Sequence, residues 1–409
     1  EELIDEAARR VLHLKFKLGI MDDPFRYILP DREEEYHFHP KHLKASLDLA
    51  RKSCVLLKNS GVLPLRDPSQ KIALIGPFAD SKDLLGPWQF SRYGHETVTL
   101  YEGLLAKFGS GERLLYAPGS GMLEPIAGGI EEAVSQAEQA DIVILALGES
   151  SAMSGEAASR MDISLPEAQQ RLAAAVAAVG KPTVLVLTNG RPLVLTWFEE
   201  NVDAILETWF LGSQAGHAIA DILAGDHNPS GKLTMSFPAH VGQIPVYYNH
   251  FRTGRPLTEA NRAEKFISKY IDGPNAPLYP FGYGLSYTDF RYSKIRLSND
   301  TMTVDGSITV SVAVTNAGEH SGEEVVQLYI QDCCGSIVRP VKELKDFRKV
   351  HLAPGESKEV EFTVTAEKLE FWAPGRGYAA EPGKFNLYIG SSSEDVQKVS
   401  FELVSGRRS

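Results

Sequence analysis

Short apolar runs ending in glycine recur through the first half of the chain: KIALIG (71–76), RLLYAPG (113–119), DIVILALG (141–148) and PTVLVLTNG (182–190), with AILETWF (204–210) after them. Residues 130–139 and 166–179 repeat apolar positions at helical spacing, 192–198 makes a shorter turn, and a further helical stretch follows at 214–223. Apolar runs of strand length without alternation predict strands buried on both faces, and their separation by helices predicts a mostly parallel sheet with helices on either side. Residues 41–246 are therefore expected to form an α/β sandwich, entered through a helix over about 42–54.

The flanking segments read differently. Residues 1–20 put Leu3, Ala7, Val11, Leu14 and Leu18 on one helical face, with Gly19 suited to the C-cap. Nothing before that face is present to pack on it, so a preceding segment is expected, and 20–40 reads as a linker. Over 247–290 the periodicity fades into Pro, Gly and aromatic residues, the pattern of an ordered connection between domains. From 291 to 409 strict alternation takes over (SITVSVAVTN, EEVVQLYIQD, SKEVEFTVT, GKFNLYIG), broken by turns such as APGES. About seven such strands predict an all-β, immunoglobulin-like sandwich resembling fibronectin type III.

Composition adds exclusions. Of 409 residues 43% are hydrophobic and 23% charged, which rules out a disordered or disulfide-framed chain. A net charge of −11 with scattered Lys and Arg argues against nucleic acid as a partner. No apolar run approaches the about 18 residues that cross a bilayer, so no membrane partner is expected. Three cysteines, Cys54, Cys333 and Cys334, match neither a disulfide framework nor a zinc spacing. The His37, His39, His42 cluster lacks the carboxylates or thiolates of a known ligand set, and no metal or cofactor is assigned.

Ligands of open α/β sheets gather at the carboxyl ends of the strands, which directs attention to the loops after Gly76, Gly119, Gly148 and Gly190. The longest follows Gly148 and reads ESSAMSGEAASRMDIS, ahead of a helix whose start Ser164 and Glu167 would mark as a capping box. Loops beyond about 12–15 residues are functional or disordered, and this one has few of the charges and prolines that favour disorder. It carries Glu149 and Glu156, then Arg160 and Asp162, which are expected to fix the loop by pairing. A loop glutamate taken by itself is ordinarily a solvated charge, so physics alone leaves the choice open. Trp88 and Phe90, after the first strand, could stack on sugar rings or simply pack between domains; Arg92 follows with less support. Trp209 and Trp372 are expected in the core.

The order VLLKN, IGPFAD, GPW, GESSAMSGEAASRMDISLP, VLTNGRPL, ILETWFLGSQAGHAIADILAGDHNPSGKLTMSFP, LYPFGYGLSYTDF and RPVKELKDF resembles, over almost the whole chain, the C-terminal portion of glycoside hydrolase family 3 β-glucosidases of the bacterial periplasmic type. That resemblance implies a retaining exo-β-glucosidase acting on terminal β-linked glucose of an oligosaccharide or glucoside. It implies Glu156 as the acid/base, four residues before Arg160 as in the family, and Trp88 beside the leaving-group subsite. It further implies a nucleophilic aspartate in a preceding (β/α) barrel that this sequence lacks, its first twenty residues resembling only the last barrel helix. The barrel would then be a partner in cis or trans, and the fragment alone a non-catalytic sugar-binding or scaffolding piece. Asp80, Asp83 and Asp162 are replacement nucleophiles by position only. A periplasmic or secreted location is implied, a cytoplasmic one stays open, and a homodimer is compatible with it.

Overall fold

The computed structural model describes every residue except 68, 90–95, 110–111 and 406–409, and the side chains of 33–34. Two compact units emerge, Glu1–Ser46 and Leu47–Ser409. The first opens with helix α1 (Glu2–Leu18), ended by Gly19 in the left-handed conformation, φ 72°, which the missing Cβ permits. No residue of α1 is buried, and the expected apolar face shows Leu3, Val11, Leu14 and Leu18 to solvent. A short helix α2 (Arg32–Tyr36) and the first turns of α3 (Pro40–Ser53) complete this unit.

In the second unit a six-stranded sheet holds β1 (Val55–Asn59), β2 (Ile72–Ile75), β3 (Leu114–Ala117), β4 (Ile142–Gly148), β5 (Thr183–Thr188) and β6 (Ala204–Glu207) in the order β1-β6-β5-β4-β2-β3. The five strands β2 to β6 run parallel, as their glycine-bounded apolar runs predict; β1 joins β6 antiparallel and was not foreseen. All seven residues of β4 are buried, and alternate side chains go to opposite faces. Ile144, Val184, Val186 and Leu206 pack under α4 (Leu100–Phe108) and α8 (Ala215–Ala224). Val143, Leu145, Leu185 and Leu187 pack under α5 (Gly129–Gln139), α6 (Glu167–Ala177) and α7 (Thr196–Asn201).

Two helix starts differ from expectation. Helix α6 begins at Glu167 with Pro166 at its N-cap and no side-chain cap, because Ser164 is held instead by Asp162, whose carboxylate accepts its N–H at 2.8 Å. The capping box belongs to α4, which the periodicity did not mark: Thr99 accepts the Glu102 N–H at 3.1 Å and Glu102 accepts the Thr99 N–H at 2.8 Å.

Beyond α8 the chain passes through an exposed stretch over about 250–275 and returns to the sheet, where Tyr283 and Leu233 exchange backbone hydrogen bonds with their surroundings and Leu285 donates to the Leu56 carbonyl at 2.8 Å. The last third forms the expected β-sandwich. One sheet pairs Ser307–Asn316 with Ser357–Thr365, and the other is built on Gly322–Asp332, Glu343–Leu352, Gly383–Gly390 and Val396–Val404. Alternate residues, among them Val310, Val312, Leu328, Phe362 and Phe385, fill the space between the sheets. Trp372 does not join that core: it is 54% exposed on the two-stranded edge formed by Phe371–Ala373 and Gly377–Ala379, where alternation turns its ring outward. Trp209 is half-buried against Phe237, ring centres 6.0 Å apart.

Candidate active site

Strand order places β2 beside β4 although β3 separates them in sequence. The connections leaving their carboxyl ends run to opposite sides of the sheet, and the crevice between them is where doubly wound sheets bind ligands. Trp88 lies on the loop after β2 and Glu156 on the loop after β4, so both flank this crevice.

The loop after β4 is pinned from below. Glu149, its first residue, is fully buried, and its carboxylate pairs with Arg160 Nη1 at 2.6 Å and Arg191 Nε at 3.0 Å. A buried carboxylate requires such partners, and two guanidinium groups supply both charge and N–H donors. Each arginine then reaches on to backbone. Arg160 Nη2 donates to the Ser164 carbonyl at 2.9 Å, while Arg191 Nη2 donates to the Ala158 carbonyl at 2.7 Å and also to that of Met153. On the other flank, Asp83 accepts the Ser151 N–H at 2.8 Å. Asp162 accepts the Ser164 N–H, and these Ser164 hydrogen bonds hold its carboxyl below the usual range. Asp80 accepts the Thr99 hydroxyl at 2.7 Å.

Between the anchors the chain reverses sharply. Gly155 has φ 93° and Ala157 φ 58°, both left-handed. A Cβ on Gly155 would lie 2.9 Å from the Pro87 ring and 3.7 Å from the Trp88 indole, so a glycine is what lets the tip rest against Trp88. Ser154 comes equally close to Gly190, where a Cβ would meet its Oγ at 1.9 Å. Glu156 stands exposed between the two reversals, and its carboxylate makes no hydrogen bond or ion pair among the described residues. Trp88 is 61% exposed, its indole near Gly155. Phe90 and Arg92, the other two residues assigned to substrate from the sequence, lie outside the described residues.

Sequence reasoning passed over two further groups. Arg191 carries no mark of its own within VLTNGRPL. Glu207, which closes β6, is fully buried; it accepts the Trp209 N–H at 2.8 Å and the Asn189 amide at 3.0 Å. Burial pushes its carboxyl up to about 8, and the charge of Glu149 pushes the same way. A charged residue ending a strand buried on both faces was the signal. Among the described residues no group of three or more His, Cys, Asp or Glu is placed to hold a metal ion. The arrangement sets an exposed carboxyl group, without a hydrogen-bond or ion-pair partner among the described residues, on the same loop tip that rests against an apolar aromatic face.

Comparison with known proteins identifies the family. The family model for the glycosyl hydrolase family 3 C-terminal domain matches residues 54–287, and a fibronectin type III-like domain model matches 324–393. The chain is 45% identical to the periplasmic β-glucosidase of Salmonella typhimurium, over 98% of this chain and 55% of that protein, and 38% identical to a β-xylosidase of Formosa agariphila, again over 98% and 55%. Among solved structures, the β-glucosidase of Listeria innocua in complex with isofagomine superposes with a TM-score of 0.93 at 42% identity, covering 99% of this chain and 56% of that one. The chain thus spans little more than half the length of these relatives. With the sheet, the β-sandwich and the match over residues 54–287 in agreement, the chain belongs to glycosyl hydrolase family 3.

Proposed function

We propose that this chain is the acid/base-bearing portion of a retaining exo-β-glucosidase, with Glu156 as the group that protonates the departing glycosidic oxygen. One observation carries the reading: Glu156 is an exposed carboxylate, unpaired among the described residues, at the tip of a loop that is otherwise fixed by buried ion pairs, and that tip stands at the switch point of the sheet with Gly155 against Trp88. The other carboxylates near it are engaged. Glu149 is held by two arginines, and Asp80, Asp83 and Asp162 accept hydrogen bonds from Thr99, Ser151 and Ser164. The nucleophile is therefore assigned to another domain, a (β/α) barrel supplied in cis or trans, in line with relatives nearly twice as long.

Retaining glycosidases place two carboxyl groups about 5–5.5 Å apart, one ionised to attack the anomeric carbon and one protonated to release the leaving group. A free glutamate titrates near 4.3, so the acid must be raised when the sugar and the second domain cover it and set an anion beside it. Once that anion becomes an ester, the acid's pKa falls and the same carboxylate activates water. The indole of Trp88 offers the aglycone an apolar face. Glucose is preferred over xylose as substrate because the β-glucosidase relative is the more similar, 45% against 38%. The periplasm is the proposed location on the same ground.

The chain alone is expected to leave an aryl β-glucoside intact and to gain activity when its barrel domain is present. In that complete enzyme, Glu156→Gln should lower kcat/KM for poor leaving groups by about 10²–10⁴-fold while sparing a dinitrophenyl glucoside, with azide accelerating turnover. Hydrolysis by the isolated chain, or this pattern on Glu149→Gln instead, would overturn the assignment.

A further inference from the structure

We infer that Arg191 positions the acid/base loop, a role that rests on the assignment of Glu156 above. The guanidinium group of Arg191, carried just past β5, donates to the carbonyls of Met153 and Ala158, one on each side of Glu156. Both left-handed residues, Gly155 and Ala157, fall inside that bracket. The tip is thus a short arch whose two feet stand on one side chain.

Among the described residues no other side chain donates to both feet. Arg160 holds Ser164, beyond the arch, and Asp83 holds Ser151, before it. Within the arch the Ala158 N–H donates to the Gly155 carbonyl at 3.4 Å and the Ser154 N–H to the Ser151 carbonyl at 3.2 Å, both inside the loop itself, while Gly155 against Pro87 and Ser154 against Gly190 are contacts of shape. Only a planar, forked cation can serve both feet while its Nε stays on the Glu149 carboxylate at 3.0 Å. Glu149 neutralises the cation in a buried setting, so the loop gains charge-assisted hydrogen bonds without an isolated buried charge. Displacing a general acid by about 1 Å costs on the order of 10²-fold in rate. A loosened arch should therefore slow the step that needs the proton and spare the step that does not.

The test uses the enzyme with its barrel domain present. Arg191→Lys keeps the charge opposite Glu149 but loses the fork; Arg191→Met loses charge and fork together while Arg160 still pairs with Glu149, so that the carboxylate is not left buried alone. Each is assayed on aryl β-glucosides of graded leaving-group pKa. The expected result for both is a loss of about 30- to 100-fold in kcat/KM on phenyl glucoside and less than about 3-fold on dinitrophenyl glucoside, with the basic limb of the pH profile displaced. Equal loss on all leaving groups, or no loss, would show that Arg191 serves stability alone and overturn the inference. Glu156→Gln, run in parallel, separates the two claims. If it lacks the leaving-group dependence, both fall; if it has the dependence and the Arg191 variants lack it, only the positioning role falls.

Discussion

Two buried glutamates, Glu149 just after β4 and Glu207 at the end of β6, solve burial differently. Glu149 is compensated by two guanidinium groups, Glu207 by a backbone N–H and the neutral Asn189 amide. Neutral donors offset less of the cost of removing a carboxylate from water, and so burial raises Glu207 from 4.5 to about 8. The sign follows. Between those two values the folded protein keeps a proton that the unfolded chain has released, so stability is full below about 4.5 and falls as pH rises toward about 8, by up to about 1.4 kcal/mol per pH unit. Glu207→Gln removes that slope. Urea denaturation of the two proteins at pH 5 and pH 8 should show the variant gaining on the parent at the higher pH; a difference independent of pH would mean that Glu207 is ionised throughout.

At the scale of elements, helix α4 shows how capping anchors a short segment. Thr99 is buried, caps α4 and donates its hydroxyl to Asp80. Thr99→Ala should cost about 1–2 kcal/mol in chemical denaturation, and Ser164→Ala clearly less, since Ser164 caps no helix. Comparable losses would contradict the division of roles between these residues. The same contrast explains what could be read in advance. The parallel strands were legible because burial on both faces leaves an unbroken apolar run, and the β-sandwich because burial on one face leaves alternation. Helix α4 leaves little mark because LYEGLLAKF is short and its Thr99, Glu102 capping signature precedes no long periodic run. Antiparallel β1 was hidden for another reason: VLLKN pairs with β6, nearly 150 positions away, and pairing partners leave no local mark. The site divides likewise. The long loop and Glu156 could be singled out, one by length and one by family resemblance, whereas the Arg191 bracket joins a side chain to backbone carbonyls, which have no sequence signature.

At the scale of the molecule, the α/β sheet and the β-sandwich are joined by more than the covalent chain. Lys232 pairs with the buried Glu324 at 3.2 Å and donates to the Gly284 carbonyl at 2.8 Å. Asn228 bonds the Ser321 carbonyl and the Ser286 hydroxyl, and the hydroxyls of Tyr283 and Tyr287 reach the carbonyls of Leu57 and Ile222. The segment 278–285 returns along 233–237 by backbone hydrogen bonds before the sandwich begins. The exposed excursion between these zipped segments is therefore topologically idle: it ties together two ends that are already tied. A protease that nicks the chain once between residues 252 and 273 should yield two bands under denaturing conditions and a single particle of unchanged size under native ones. If the pieces part, the excursion, and not the zipped seam, is what keeps the sandwich in place.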